Sequence, residues 1–120
     1  MANIEAIVIE WLDVLMGSPN DWAVSGDKPN PTPDQYILVD RTGGPREAMV
    51  LDRAEILIEV FHKTSRSQAS LKADEIADAV PGLLAYENIT RAKVNSVVNL
   101  DDLLGQFHRY QIFIDVYHRR

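Results

Sequence analysis

Apolar residues near the start of the chain recur at the spacing of an amphipathic helix. The recurring positions are Ile4, Ile7, Val8, Trp11, Leu12 and Leu15. Asn3 precedes them as a candidate N-cap, and Gly17 follows them as a candidate helix end. The pattern predicts a first helix over residues 4–16, with an apolar stripe that has to pack against another element.

The periodicity disappears over residues 18–35. Pro29, Pro31 and Pro33 alternate there with polar residues, which favours extended backbone over a helix or an inner strand. Unstructured connections of this length in small domains are usually functional or mobile. We therefore expect a long extended loop that is poorly ordered in the free protein and offers Trp22 as a large contact group.

Strand-like segments follow at residues 36–41 and 50–63, with Gly43, Gly44 and Pro45 between them. This arrangement is typical of a hairpin. Alternation in the second segment puts Ile56, Ile58 and Val60 on one face and Glu55, Leu57, Glu59 and Phe61 on the other. We expect the first of these faces to form part of the core.

A second helix is predicted from Ala69 to Val80. Ser65 and Gln68 have the spacing of a capping box before it, and Pro81 with Gly82 is expected to stop it.

Two further strands are predicted at residues 93–100 and 109–118, joined through residues 101–106. The predicted order is α-β-β-α-β-β. We therefore expect an α+β fold with a mixed, largely antiparallel four-stranded sheet and two main helices, and we treat residues 1–120 as a single domain.

Composition narrows the possible functions. A chain of 120 residues with 46% hydrophobic content fits one compact domain, and the absence of cysteine excludes disulfides, thiolate zinc sites and thiol nucleophiles. The formal charge of −6 opposes tight binding to nucleic acid. Glu5, Glu10 and Asp13 interrupt the apolar N-terminal stretch, so we expect a soluble protein without a signal peptide or membrane span.

The stretch VDRTGGPRE, residues 39–47, has the glycines and arginines of a possible phosphate-binding loop. A P-loop, however, needs Lys and then Ser or Thr after its last glycine, followed by a helix. Pro45 and Arg46 follow here, and a strand comes next. We interpret Gly43 and Gly44 as a hairpin turn in which at least one glycine has a positive φ.

No residues have the spacing of a catalytic or metal site. His62, His108 and His118 match no zinc motif, and two of them lie at predicted strand ends. Asp101 and Asp102 are adjacent, so their side chains point apart in an extended segment. We expect no enzymatic activity, cofactor or metal, although a small enzyme with a site assembled from distant residues stays an alternative.

The predicted face opposite the aliphatic one carries a mixed pattern. Leu57, Phe61, Phe113 and Tyr117 alternate there with Glu59 and Asp115. Solvent exposure alone does not require such aromatic residues, which indicates an interface. The alternative is that the first helix or the proline-bearing loop covers this face within one chain.

The chain resembles the tail terminator proteins of long-tailed bacteriophages over nearly its whole length. The resemblance rests on the N-terminal helix, the proline-bearing loop and four further features. These are Arg41-Thr42-Gly43-Gly44-Pro45-Arg46, Asp52-Arg53 opening a strand that ends in Glu59-Val60-Phe61, the small-residue helix from Ala69 to Val80, and the closing YQIFIDVYHRR. Relatives often carry a proline after the Asp-Arg pair, where this chain has Ala54.

The resemblance implies a non-enzymatic role in virion assembly. Proteins of this family form a homo-oligomeric, hexameric ring that caps the tail tube, binds the major tail tube protein and ends its polymerisation. The ring, assembled in the host cytoplasm, then joins the head–tail connector protein at the head-proximal end of the virion tail, and DNA passes through it without tight binding. Another phage neck or head-completion protein stays an alternative.

Overall fold

The computed structural model describes residues 3–17, 22–43, 51–101 and 106–119. Its elements in chain order are α1 (Ile4–Met16), β1 (Ala23–Ser25), β2 (Gln35–Gly43), β3 (Leu51–His62), α2 (Arg66–Ala79), the 3-10 helix η1 (Val80–Ala85), β4 (Ile89–Asn99) and β5 (His108–Arg119). The α+β class and the two main helices are confirmed.

The strands form a five-stranded sheet in the order β1-β2-β3-β5-β4. β1 runs parallel to β2, and the other neighbours are antiparallel. The sheet is therefore mixed and largely antiparallel, as expected, but the predicted four strands and their order were wrong. β1 lies inside the segment 18–35 that was expected to be a loop. Its three residues are too few to show periodicity, and pairing with β2 places them in the sheet.

Both helices begin and end largely as the sequence indicates. The Asn3 side chain accepts a hydrogen bond from the Ala6 amide at 3.2 Å, and Ser65 accepts one from the Gln68 amide at 3.1 Å. Gly17 closes α1 with φ of +76°. At Pro81 and Gly82 the α-helical path stops, but the chain continues as η1, because proline is tolerated in the first turn of a helix.

The helices pack on one face of the sheet. The core there joins apolar residues of α1, α2 and η1 to β2, β3, β4 and β5, and includes Ile4, Val8, Leu12, Ile37, Val39, Ile56, Ile58, Val60, Ala69, Ala73, Ile76, Leu83, Ile112 and Ile114. This confirms the aliphatic face of β3 as core. Small residues on α2, at Ala69 and Ala73, let its backbone lie close to the sheet. The alternative in which α1 covers the opposite face is wrong.

Candidate assembly surface

The second face of the sheet carries no helix within the described parts of the chain, and we call it the open face. Its residues alternate with the core positions along each strand, so the register fixes its membership. It contains Tyr36, Leu38, Asp40, Arg53, Glu55, Leu57, Glu59, Phe61, Lys93, Arg109, Gln111, Phe113, Asp115 and Tyr117.

Three of the five predicted interface residues lie together on the open face. Leu57 and Phe113 are direct partners across β3 and β5, and both are partly exposed. Tyr117 is the partner of Arg53, and its ring lies 5.6 Å from the Arg91 guanidinium carbon. These residues form an apolar and aromatic centre that a partner can contact.

Phe61 belongs to an aromatic cluster at one end of the open face. Its ring stacks on Tyr36 with centroids 4.5 Å apart, and Phe107 meets both rings edge-on. Only 4% of Phe61 is exposed. The single chain therefore already buries Phe61, and we remove it from the contact set.

Trp22 has a different position from the one expected. It is 8% exposed and belongs to the core cluster, with its ring centroid 5.8 Å from that of His62 and Lys72 Nζ 5.6 Å away. The expectation of a free contact group on an extended loop is therefore corrected. Burying the large indole anchors Trp22, which directly precedes β1, to the body of the chain.

Charged side chains surround the apolar centre of the open face. Arg53 lies 4.0 Å from Asp115 and 3.5 Å from Glu55, measured between nitrogen and oxygen. On the other side, Glu59 accepts a hydrogen bond from the Gln111 amide and pairs with Arg109 at 3.4 Å. Aromatic residues with arginine in a patch of this kind are enriched at protein–protein interfaces.

Sequence reasoning missed this polar network. Arg53, Arg109 and Gln111 lie at the alternate positions that carry Leu57 and Phe113, so the period-2 pattern held a signal for them. Which acid each of them meets depends on the pairing of β3 with β5, and strand periodicity does not specify that pairing.

A groove of about 260 Å³ opens next to the Phe113 ring. Its lining includes Thr42, Arg53, Glu55, Asn95 and Asp115. Thr42, from the glycine-containing segment 39–47, thus lies at the same surface as Phe113.

The glycine-containing segment joins two antiparallel neighbours, β2 and β3, which confirms the predicted hairpin. The Arg41 amide donates to Glu5 Oε1 at 3.1 Å, and the Thr42 hydroxyl donates to the Glu55 carbonyl at 3.3 Å. The register shifts between Arg41 and Gly43, as in a β-bulge. Gly43 does not have a positive φ. The prediction that at least one of the two glycines has one therefore depends on Gly44 and is not tested.

Gly44, Pro45 and Arg46 lie outside the described residues, so the turn itself stays a prediction. Asp52 is partly exposed and is the strand partner of His118.

Titratable residues do not converge on a catalytic arrangement in the described ranges. His62 and His108 are partners at one end of the sheet, whereas His118 lies at the other end. No group of three or more His, Cys, Asp or Glu among the described residues is placed to hold a metal ion. No described helix is long and apolar enough to span a membrane.

Asp101 connects α2 to the strand ends. Its carboxylate accepts hydrogen bonds from Arg66 at 2.5 Å and from the Asn99 amide at 3.2 Å. The Arg66 hydrogen bond is the main reason that the pKa of Asp101 lies below its ordinary value, and burial opposes this shift. These contacts give Asp101 a structural role. Asp102 lies outside the described residues.

Comparison with known proteins identifies a shared fold. No protein-family model and no curated protein matches the chain. Among solved structures, the chain is similar to one from the virion of a native gene transfer agent particle, with a TM-score of 0.65 and 15% identity. The match covers 91% of this chain and 84% of the other. This fold therefore occurs in a virion. At such low identity the likeness concerns the fold alone, and it extends over nearly the whole α+β arrangement.

Proposed function

We propose that this protein is a structural component of a bacteriophage virion, and specifically the terminator that caps the tail tube. The likeness of fold to a virion chain, over 91% of the sequence, carries the first part of the proposal. The resemblance of the segment 41–46 and its surroundings to tail terminators supports the second.

The open face supplies a surface that suits assembly. Leu57 and Phe113 form a half-buried apolar centre, and ion pairs of Arg53 and Arg109 border it. A partner that covers this centre removes apolar area from water, while the surrounding charges select the orientation in which it binds. We assign this face to contact with the major tail tube protein or with a neighbouring subunit.

Termination follows from a ring with two different sides. Six copies arranged head to tail present one side that matches the end of the tube and another side that does not reproduce it. A further tube subunit then finds no docking surface, and the free side is available to the head–tail connector protein. We therefore assign the ring to the head-proximal end of the tail.

The charge of the chain suits a conduit for DNA. Each copy carries a formal charge of −6, so a ring of several copies is strongly acidic. Repulsion between an acidic wall and the phosphate backbone keeps DNA from adhering while it passes. DNA is therefore not retained in the ring as a tightly bound partner.

Growth of tail tubes in the presence of the purified protein tests the proposal. Tubes polymerised from the matching tail tube protein are expected to stop growing after the protein is added, with a ring visible at one end by electron microscopy. Tubes that lengthen at the same rate with and without folded protein would overturn the terminator assignment. Binding to filled heads that lack tails, without binding to tubes, would favour a neck or head-completion protein instead.

A further inference from the structure

β4 forms a long edge of the sheet. It pairs with β5 on one side, and no strand of the described chain lies on its other side. Unpaired backbone groups along such an edge readily accept another chain. In natural proteins, charged side chains and β-bulges usually protect edge strands from pairing with another chain. In β4 the charged side chains and the bulges are confined to the first part of the strand. Arg91 and Lys93 lie in that part, and the second register shift ends at Ser96.

Three exposed aliphatic side chains lie in the last part of β4 and at the residue that follows it. Val97, Val98 and Leu100 expose 39%, 41% and 49% of their surfaces. We call these three residues, together with Arg91 and Lys93, the β4 margin. It combines two positive charges with three exposed aliphatic side chains and includes no acid.

Charge is distributed unevenly between the two sides of the molecule. β4 contains two bases and no acid, and β5 contains two bases against one acid. In contrast, α1 contains three acids and no base, and α2 contains three acids against two bases. The last two strands are therefore positive in a chain whose total charge is −6, and the helices are negative.

The outward side of α2 has the complementary chemistry. Leu71, Asp74, Glu75 and Asp78 are spaced as one stripe along the helix and all are exposed. Leu71, with 63% of its surface exposed, is the apolar member of this stripe. We call these four residues the α2 stripe.

We propose that the β4 margin of one copy docks on the α2 stripe of a second copy. The pairing deepens the proposed function by naming the contact between subunits. It depends on that function for closure into a ring, but not for the contact itself. Opposite charges attract the two surfaces, and apolar side chains of both lose contact with water when they meet.

Charge also determines the symmetry of the contact. A two-fold dimer through β4 offers no acid to Arg91 and Lys93, because β4 contains none, and a two-fold dimer through α2 brings two acidic stripes together. Neither arrangement pairs opposite charges. Pairing of margin with stripe is heterologous, so each bound copy leaves a further margin and a further stripe free. Such a contact builds a ring or a filament rather than a closed dimer.

Reciprocal charge reversal tests the contact by sedimentation velocity at low salt. The wild-type chain is expected to associate beyond its 13.5 kDa monomer, and added salt should weaken this association. R91E/K93E and D74K/D78K should each weaken it about tenfold or more, because several exposed ion pairs are replaced by like charges. An equimolar mixture of the two variants should associate again, since each reversed surface then meets a complement.

A matched control separates this contact from a general effect of charge. K63E changes the net charge as much as K93E alone does, at an exposed position outside the β4 margin, the α2 stripe and residues 27–34. K63E should associate like the wild type, whereas K93E should weaken association. Circular dichroism establishes that each variant is folded. The lysines of D74K/D78K should not destabilise α2, because positive charges near the C-terminal end of a helix interact favourably with its dipole.

Three results would overturn the contact. These are a wild-type chain that is monomeric at every concentration, association that R91E/K93E leaves intact, and a mixture of reversed variants that stays monomeric. The growth of tail tubes is a separate measurement. If the two reversed variants associate when mixed, but the wild-type protein does not stop the growth of tail tubes, the contact between subunits is supported and only the proposed function is overturned.

Discussion

Leu57 and Phe113 lie directly opposite each other on neighbouring strands, at the centre of the open face. Their neighbours in sequence, Ile56 next to Leu57 and Ile114 next to Phe113, point into the core and are almost completely buried. A one-residue step along β3 or β5 therefore separates a side chain that holds the fold together from one that is available for contact.

Phe113→Glu is expected to leave the fold intact and to weaken assembly. The phenyl ring is only partly buried in the single chain, whereas a carboxylate at a covered contact loses its hydration. Thermal unfolding should change little, while the fraction of capped tail tubes seen by electron microscopy should fall.

Leu84→Glu is the matched control, because Leu84 exposes 51% of its surface on η1, away from the open face. It should cap tubes as the wild type does. A Phe113→Glu chain that unfolds on its own would show that Phe113 belongs to the core.

His62→Ala should reduce the free energy of unfolding by about 1–2 kcal/mol, because one exposed and one partly buried backbone amide lose their hydrogen-bond acceptor. His62 Nδ1 accepts hydrogen bonds from the Thr64 and Ser65 amides, at 3.3 Å and 3.0 Å, just before α2 begins. Its ring also packs against Trp22.

Urea denaturation measures this loss, and His62→Asn provides the comparison. The asparagine side-chain oxygen lies near the position of Nδ1 and should restore part of the stability. Equal losses in the two variants would show that ring packing, and not acceptance of the two amides, is the contribution of His62.

Two glycines should respond differently to alanine. Gly17 has φ of 76° and ψ of −163°, a conformation that is essentially limited to glycine, and an added Cβ meets no atom within 4 Å. Gly17→Ala should therefore cost about 1–3 kcal/mol through backbone strain alone. Gly43 has no positive φ, and its added Cβ would meet the Glu55 carboxylate at 3.2 Å.

That carboxylate is the end of a flexible side chain, so Gly43→Ala should cost less than about 1 kcal/mol. Thermal unfolding of the two variants, measured side by side, checks the order. A larger loss at Gly43 than at Gly17 would contradict it.

The sequence was sufficient to predict features that depend only on residues close together in the chain. The caps at Asn3 and Ser65 and the alternation around Ile58 act over a few positions, and the structure confirms them. β1 depends instead on pairing with Tyr36–Leu38. In the same way, β4 begins at Ile89 rather than at residue 93, because its first residues pair with the end of β5.

In the candidate surface, too, some features depend on nearby residues and others on contacts between distant segments. Alternation along one strand was sufficient to place Leu57 and Phe113 on the face opposite the core. The burial of Phe61 was not predictable in this way, because it depends on stacking with Tyr36 and Phe107 from other segments. Trp22 likewise enters the core through contacts with residues far away in the chain.

Because of Asp101, the stability of the folded chain should depend on pH in the acidic range. Its folded pKa lies below the ordinary value, chiefly because of the Arg66 hydrogen bond, so the unfolded chain takes up the proton first as pH falls. The stabilisation is thus complete above the ordinary aspartate pKa and is lost as pH drops through the folded one. Asp101→Asn should unfold at a lower temperature than the wild type at neutral pH.

The difference in unfolding temperature should then shrink in acid, below a pH of about 4. Calorimetry of both chains over this range measures it. A difference that is the same at every pH would show that the charge of Asp101 contributes nothing to the connection between α2 and the strand ends.

Hydrogen exchange should divide the segment 18–35 into two parts. Trp22 is buried and Ala23–Ser25 pairs with β2, so this first part should be protected in the free protein. Residues 27–34 are largely exposed and include all three prolines of the segment, whose restricted backbone lowers the entropy lost when an extended chain binds. We expect their amides to exchange rapidly in the free protein and markedly more slowly in assembled tails, as this part orders against a neighbouring subunit or the tube. Equal protection of residues 27–34 in the two states would show that they are fixed structure and take no part in assembly, whereas rapid exchange of Val24 in the free protein would contradict its place in the sheet.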